Sequence, residues 1–343
     1  MTRRGVNHRS SGRTKVTTLV LTSNVKAFPG LLPALRKIQQ LSGPLGVISH
    51  SASSLSYNSR MESSHPLVST TWLAQHLEAP DIRIADASWY LPSAGRDAKA
   101  EYRSAHIPRA AFFDIDDLSD ETSNLPHMLA PAVKFSSRMR KLGLGDGNLI
   151  VVYDGAGIYS SARAWWMLRV MGHEEVVVLD GGLPKWRREG HPVEDLVPNP
   201  TRRHFTPRPD QKLLRTFDDM LANLATKDWQ VTDARSPSRF QGREREPRAG
   251  VQPGHIPGSR NVYYIDLVQP DGTLKPKDEL ASIFAATDVE LNKPIVTTCG
   301  SGITAAINLL ALTVAGANDV ALYDGSWAEW GSKPGAPIET DER

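Results

Sequence analysis

The clearest alternation of apolar and polar positions in this chain runs from Pro294 to Val314. It begins with four β-branched residues, 295–298, a composition typical of a buried parallel strand. After a short polar loop, apolar residues return at helical spacing, which predicts a helix with one buried face. That face consists of Ile303, Ile307, Leu310, Ala311 and Val314. A strand followed closely by a helix is the building unit of a parallel α/β sheet.

A second feature is a repeat of the same motifs, in the same order, about 145 residues apart. Each copy has an aspartate after a predicted strand, then His-Ile-Pro, then a strand with a loop, then Asp-Gly and a tryptophan. The copies predict an α/β fold of two tandem domains, each an open parallel sheet flanked by helices. The matching positions are Asp86 and Asp233, His106 and His255, Asp154 and Cys299, and Asp180 and Asp324, with offsets of 147, 149, 145 and 144 residues.

The repeat also predicts the domain boundaries. The first domain is expected over residues 66–191 and the second over residues 213–338. Between them, residues 192–212 are rich in Pro and Arg and lack periodicity, as expected of a linker.

Charge separates residues 1–61 from the rest of the chain. They contain nine Lys or Arg and no Asp or Glu, so residues 62–343 carry a formal charge of −7 within the total of +2. We expect a basic, disordered extension over residues 1–61. Its interpretations stay open: a plain disordered tail, a transit peptide, implying the mitochondrial matrix, or sequence upstream of a start at Met61, implying the cytoplasm. The acidic body gives no electrostatic argument for nucleic-acid binding, and no run of 18 apolar residues predicts a membrane span.

Cys299 is the only cysteine in the chain. A single cysteine excludes an internal disulfide framework and a cysteine-based zinc cluster, and the ten histidines lack ligand spacing, so neither metal nor cofactor is expected. A lone cysteine is commonly a buried core residue. Here it opens a Gly-Ser-Gly loop between strand and helix, where backbone N–H groups and the helix N-terminus favour a thiolate. We therefore interpret Cys299 as a nucleophile.

These motifs resemble the two-domain rhodanese-like sulfurtransferases from about Leu67 to about Ile338. In that family the first domain lacks a catalytic cysteine. The loop starting at Cys299 is similar to that of the branch that uses 3-mercaptopyruvate, where Val usually stands in place of Ile303. The supporting segments are Asp86-Ala87-Ser88-Trp89-Tyr90, Pro126-His127-Met128-Leu129 and Gly181-Gly182-Leu183-Pro184-Lys185-Trp186.

The resemblance implies a reaction and a set of site residues. The cysteine takes sulfur from 3-mercaptopyruvate as a persulfide, pyruvate leaves, and the sulfur passes to a thiol, thioredoxin or cyanide. A monomer is expected. The implied relay is Ser301, His127 and Asp116, the implied carboxylate-binding residues are Arg239 and Arg248, and the implied loop residues are Gly300, Gly302, Ile303 and Thr304.

The arginine assignment has a simpler competing explanation. The segment from Arg239 to Arg248 contains four arginines including its two ends, so it is also consistent with a solvated charged loop. We assign Arg243 and Arg245 to that explanation. A guanidinium fork nevertheless suits the coplanar oxygens of an α-keto acid, which favours binding by the outer two arginines.

Three other functions fit these residues less well. A thiosulfate sulfurtransferase typically has Arg and Lys where this chain has Gly300 and Ser301. A phosphatase of related fold needs a longer loop and a closing Arg, whereas the sixth loop position here is Thr304. A non-catalytic rhodanese-like binding module usually lacks the cysteine that this chain retains.

Overall fold

The computed structural model describes residues 65–341, so the predictions for residues 1–61 lie outside the described part of the chain. In the first half, a two-residue strand leads into a helix capped by Ser69, whose side chain accepts from the Trp72 N–H. The strands are β1 (Leu67–Val68), β2 (Ile82–Asp86), β3 (Ala111–Phe112), β4 (Leu149–Tyr153) and β5 (Val176–Leu179). The helices are α1 (Thr70–His76), α2 (Ala98–Ser104), α3 (Ala132–Lys141), α4 (Ser161–Val170) and α5 (Gly182–Arg188), with a 3₁₀ turn at Pro92–Ala94.

The second half repeats this order. Its first long helix begins with a capping box between Thr216 and Asp219. The strands are β6 (Leu214–Arg215), β7 (Gln230–Asp233), β8 (Arg260–Asn261), β9 (Ile295–Thr298) and β10 (Val320–Tyr323). The helices are α6 (Phe217–Thr226), α7 (Pro237–Phe240), α8 (Lys277–Ala286), α9 (Ala305–Ala315) and α10 (Ser326–Trp330), with 3₁₀ turns at Gln211–Leu213 and Tyr264–Leu267.

Both halves form the same parallel sheet. The strand order is β1-β5-β4-β2-β3 in the first and β6-β10-β9-β7-β8 in the second. Asp86 pairs with Tyr153 in the first sheet, as Asp233 pairs with Thr298 in the second. The prediction of two tandem domains with open parallel sheets is therefore confirmed, and the matched aspartates end equivalent strands.

The segment between the sheets, residues 192–210, contains no helix or strand, only an isolated bridge between Glu194 and His106. It nevertheless packs on the first half, because Phe205 is buried against Phe135. The Asp210 N–H also donates to the Val170 carbonyl. The domain limits at residues 191, 192, 212 and 213 stay predictions.

The central strand and its helix follow the pattern with one correction. Strand β9 spans the four predicted residues, Ile295–Thr298. Helix α9 begins after Ile303 and is buried on nearly all sides, so the prediction of a single buried face was wrong. The reason is tertiary packing: α9 contacts helix α4 of the first domain.

One apolar cluster joins the two domains. It contains buried residues of both, including Trp166 in α4 and Leu310 in α9. Separate clusters cover the outer faces, around Trp186 in the first domain and Trp327 in the second. Because the inner core is shared, we expect the domains to unfold together. Over residues 65–341, no helix combines the length and apolarity needed to cross a membrane.

We predict that Leu310→Ala lowers the free energy of unfolding by about 2–5 kcal/mol, because it opens a cavity in the shared core. Val133→Ala is the control, since that side chain is 83% exposed, and it should change stability by less than about 0.5 kcal/mol. The measurement is denaturant unfolding followed by fluorescence and by circular dichroism. Two separated transitions in the native protein would contradict a single shared core.

Candidate active site

The loop of residues 299–304 connects β9 to α9, and its backbone is oriented by helix α10. The carbonyl of Cys299 accepts from the Trp327 N–H at 2.8 Å, and the carbonyl of Gly300 accepts from the Ala328 N–H at 2.9 Å. In a trans peptide, each carbonyl points opposite to the next N–H. The N–H groups of Gly300 and Ser301 therefore point away from α10, as an anion-binding loop requires.

Two glycines leave room for arginines beside this loop. Gly302 has a φ of +79°, and a Cβ there would lie 2.7 Å from Nη1 of Arg163. A Cβ on Gly300 would lie 3.2 Å from Nη2 of Arg239 and 3.8 Å from Nη1 of Arg248. A larger residue at Gly302 would displace the guanidinium of Arg163, and one at Gly300 would crowd that of Arg239.

A cavity of about 560 Å³ opens in front of the loop, with walls from both domains. Cys299 lines it but is only 2% exposed, so the sulfur is accessible from this side alone. Enclosure by two domains is common for small-molecule sites. Its other lining residues include Trp89, Leu91, Pro92 and Tyr159 of the first domain and Arg239, Arg248, Tyr263, Tyr264, Ile303 and Thr304 of the second.

The predicted arginines both face this cavity. Arg239 lies in α7 and pairs with Glu246, a buried carboxylate that also binds Arg235 at 2.9 Å. In residues 65–341, no carboxylate lies within ion-pair distance of Arg248. Burial lowers the pKa of Arg248 from its ordinary value, while the neighbouring Cys299 opposes that change. Arg248 is therefore the less compensated of the two cations.

The predicted relay residues come together from both domains. Ser301 Oγ lies 3.2 Å from Nδ1 of His127. Nε2 of His127 lies 3.6 Å from Oδ1 of Asp116, an ion-pair distance rather than a hydrogen bond. Trp89 donates from Nε1 to the same carboxylate at 3.2 Å and meets the His127 ring edge-on. The contact with Ser301 is thus formed, and the contact with Asp116 is looser.

The environment of His127 favours its neutral form. Burial, followed by the positive charges of Arg163 and Arg248, lowers the pKa of His127 to about 4. At neutral pH the imidazole is uncharged, so one ring nitrogen can accept a proton while the other donates. His127 also has a φ of +59°, an uncommon conformation for a residue other than glycine.

A buried ion pair beside the relay was not predicted. Arg163 of α4 lies 2.7 Å from Asp324, and both side chains are almost fully buried. Arg163 donates to the carbonyls of His127 and Gly302, and Asp324 accepts from the Leu129 N–H at 2.7 Å. Asp324 stands in the repeated Asp-Gly motif, which was the available signal. Nothing in the local sequence distinguishes Arg163 from the other arginines.

The charged loop also contains features that spacing does not show. Arg243 and Arg245 are both exposed, as expected of a solvated loop, although Arg245 also lines the cavity. Glu246 was not singled out, yet its burial orients Arg239. Spacing alone cannot show which charges of a polar loop turn inward.

The equivalent loop in the first domain carries an aspartate in place of the cysteine, and that side chain binds the N–H groups of its own loop. Asp154 stands where Cys299 does in the second domain, and its carboxylate accepts from three N–H groups of its own loop. The donors are Ala156 at 2.8 Å, Tyr159 at 2.8 Å and Ser161 at 2.9 Å. The first-domain loop therefore binds a side chain of its own.

Residues 65–341 contain no group of three or more His, Cys, Asp or Glu arranged to hold a metal ion. The side-chain donors that line the cavity are several guanidinium and hydroxyl groups, which suit an anion, and the lining also contains the carboxylate of Glu244.

The geometry and the sequence agree with one family. The Rhodanese-like domain model matches residues 69–189 and 216–333, one match for each sheet. The chain therefore belongs to the rhodanese-like family, in which it is a two-domain member.

Its relatives place it among proteins named sulfurtransferases. It is 44% identical to human 3-mercaptopyruvate sulfurtransferase over 77% of this chain and 91% of that protein. It is 42% identical to the mitochondrial thiosulfate/3-mercaptopyruvate sulfurtransferase 1 of Arabidopsis thaliana, over 83% and 80% of the two. The crystal structure of SseA from Escherichia coli, described as a 3-mercaptopyruvate sulfotransferase, superposes with a TM-score of 0.71 at 40% identity, covering 77% of this chain and 99% of that one.

We predict a pH-dependent contribution of His127 to stability. The pKa of His127 is about 4 in the folded protein, against 6.5 for an ordinary histidine, so the unfolded chain binds its proton at higher pH than the folded chain does. The free energy of unfolding should therefore fall as the pH drops between these values. The expected loss from this residue is at most about 3 kcal/mol. His127→Gln should remove that part of the slope, as measured by urea unfolding from pH 4 to pH 7.

The exposed His65 provides the control, because His65→Gln should keep the native slope. If the free energy of unfolding changed with pH in the same way for the native protein and for His127→Gln, that result would contradict a neutral, buried imidazole at His127.

Proposed function

We propose that this protein is a 3-mercaptopyruvate sulfurtransferase in which Cys299 carries the transferred sulfur as a persulfide. The observation that carries this proposal is the pair of arginines beside Gly300 in the cavity that Cys299 lines. If the carboxylate of 3-mercaptopyruvate binds to these arginines, its thiol, which is two carbons from the carboxylate carbon, comes within reach of the Cys299 sulfur. The names of the relatives point to the same substrate.

Substrate binding follows from the charges. The carboxylate and keto oxygens of the substrate lie in one plane, which suits the planar guanidinium groups of Arg239 and Arg248. Since Glu246 compensates Arg239, Arg248 supplies most of the net positive charge. The backbone N–H groups of Gly300 and Ser301 point away from α10 and are the groups we propose to stabilise the thiolate and the persulfide that replaces it.

The first half-reaction breaks the C–S bond of the substrate. The Cys299 thiolate attacks the substrate sulfur, an S–S bond forms, and the C–S electron pair moves onto carbon as the enolate of pyruvate. The enolate carbon then takes up the proton that the substrate thiol loses. The net products are the cysteine persulfide anion and pyruvate, so no external oxidant or reductant is required.

Ser301 and His127 provide a route for that proton. The Asp116 carboxylate favours the imidazole tautomer protonated on Nε2, which leaves Nδ1 to accept from Ser301 Oγ at 3.2 Å. The low pKa of His127, about 4, keeps this acceptor free at neutral pH. The relay acts on the proton, while Cys299 acts on the sulfur.

In the second half-reaction, an acceptor thiolate attacks the outer sulfur and restores the Cys299 thiolate. The acceptors we propose are small thiols, reduced thioredoxin and cyanide. We propose that the protein acts as a monomer, because one chain supplies the cysteine, the relay and both arginines.

A second candidate is thiosulfate:cyanide sulfur transfer. Arg239 and Arg248 can also bind a sulfonate, and one relative carries both substrates in its name. The loop itself offers no cation at Gly300 or Ser301, so we propose thiosulfate as the poorer donor.

The proposed location depends on residues 1–61. We propose the mitochondrial matrix for a chain made from Met1 and the cytoplasm for one made from Met61. The word mitochondrial in the name of the Arabidopsis relative supports the first of these.

We predict that Arg248→Ala and Arg239→Ala each lower kcat/KM for 3-mercaptopyruvate, mainly through KM. A charge-assisted contact contributes about 1.5–3 kcal/mol, so losses of about tenfold to a hundredfold are expected. Arg248→Ala should cost more, because Arg239 already shares its charge with Glu246. The assay is steady-state pyruvate release, run beside thiosulfate:cyanide transfer on the same proteins.

Arg243→Ala is the matched control from the same loop, since Arg243 is exposed outside the cavity, and it should behave like the native protein. If Arg239→Ala and Arg248→Ala each lowered kcat/KM equally for 3-mercaptopyruvate and for thiosulfate, that result would contradict a site specific for the substrate carboxylate. Faster transfer from thiosulfate than from 3-mercaptopyruvate in the native protein would favour the second candidate.

A further inference from the structure

Arg163 makes contacts on both sides of the domain junction. It lies in helix α4 of the first domain and is fully buried. Its Nη2 reaches the carbonyl of His127 and lies 2.7 Å from Asp324, while its Nη1 donates to the carbonyl of Gly302 at 3.4 Å. One guanidinium thus links the segment carrying His127 to the loop carrying the cysteine.

Asp324 holds the same segment at a second point. Its carboxylate accepts from the N–H of Leu129, two residues after His127. The backbone that leaves His127, whose φ is +59°, is therefore fixed at two points, the His127 carbonyl and the Leu129 N–H. Such conformations cost of order 1–3 kcal/mol and persist where surrounding contacts determine them.

Stability alone does not account for this ion pair. Burying two charges is expensive, and apolar replacements of buried pairs are often neutral or stabilising. The repeat shows that the fold does not need the arginine. The bond from the Leu274 N–H to Asp180 repeats the bond from Leu129 to Asp324, but the position matching Arg163 is Asn308, which donates to Val262 within its own domain.

The same comparison links the arginine to the relay. The position 145 residues after His127 is Gly272, which cannot transfer a proton. The cross-domain arginine therefore occurs at the junction that carries a histidine and is absent from the equivalent junction that carries none.

We propose that Arg163, paired with Asp324, is a positioning residue that holds His127 against Ser301 during sulfur transfer. This inference rests on the proposed function. Arg163 acts on the histidine and not on the substrate, because it does not line the cavity. Its loss should therefore lower kcat and leave substrate binding by Arg239 and Arg248 nearly intact.

A double-mutant cycle tests this on the full-length protein. Arg163→Gln should lower kcat for 3-mercaptopyruvate by about tenfold or more, with KM changed by less than about threefold. In a His127→Gln background the same change should lower kcat by less than about twofold, because the group it positions is gone. Equal effects in both backgrounds would overturn the proposal.

Arg169→Gln is the matched control, since Arg169 lies in the same helix and packs over Trp165, away from the cavity. Its effect should be on thermal stability and not on kcat. Arg163→Lys keeps the charge but cannot contact the carbonyls of His127 and Gly302 and the carboxylate of Asp324 together, so its kcat should lie between those of Arg163→Gln and the native protein. It also replaces Arg163→Gln in the cycle if that variant does not fold. No recovery with Lys in a folded protein would also overturn the proposal.

A second measurement needs no substrate. The groups facing His127 are Arg163, Arg248, Asp116, the Ser301 hydroxyl and the Trp89 ring. In an NMR titration, Arg163→Gln should raise the midpoint of the His127 imidazole by about one unit, since a nearby positive charge is removed. Arg169→Gln should leave it unchanged.

If the titration midpoint of His127 were the same in Arg163→Gln as in the native protein, the positioning role of Arg163 would be overturned, even if the native protein proved inactive on 3-mercaptopyruvate. Inactivity of the native protein, with the midpoint shifted as expected, would overturn the proposed function alone.

Discussion

The buried contact between Arg163 and Asp324 is the interaction on which the site depends. The cysteine loop belongs to one domain and the relay histidine to the other, so neither domain alone contains the site. The apolar core shared by α4 and α9 brings the domains together, but apolar packing is not directional. The guanidinium and the carboxylate add direction, because their oxygen and nitrogen partners lie on both sides of the junction.

The second constraint is the loop that joins a central strand to the helix after it. The fold contains this loop twice, with a different residue at its first position. In the first domain the carboxylate of Asp154 accepts from three of its loop N–H groups. In the second, Cys299 replaces the aspartate, so a thiolate or persulfide can take the place of the carboxylate. The difference between a structural loop and a candidate catalytic loop is therefore one side chain at its first position.

Much of this organisation could be predicted from sequence because it depends on local pattern. The β-branched run of β9, the repeat and the cysteine between glycines each involve neighbouring residues. The contact between Ser301 and His127, 174 residues apart, was expected only through resemblance to a family. What escaped prediction depends on tertiary packing: the all-round burial of α9, the burial of the Glu246 carboxylate and the partnership of Arg163 with Asp324. A buried arginine and a surface arginine look the same in a helical sequence.

The central claim is that Cys299 carries the sulfur, and intact-mass measurement tests it most directly. After brief treatment with 3-mercaptopyruvate and removal of small molecules, the native protein should gain the mass of one sulfur atom and lose it again on addition of a reducing thiol. Cys299→Ser, the only substitution needed to remove every thiol, should gain nothing. Pyruvate release without a mass increase in the native protein, or an equal increase in Cys299→Ser, would contradict the account.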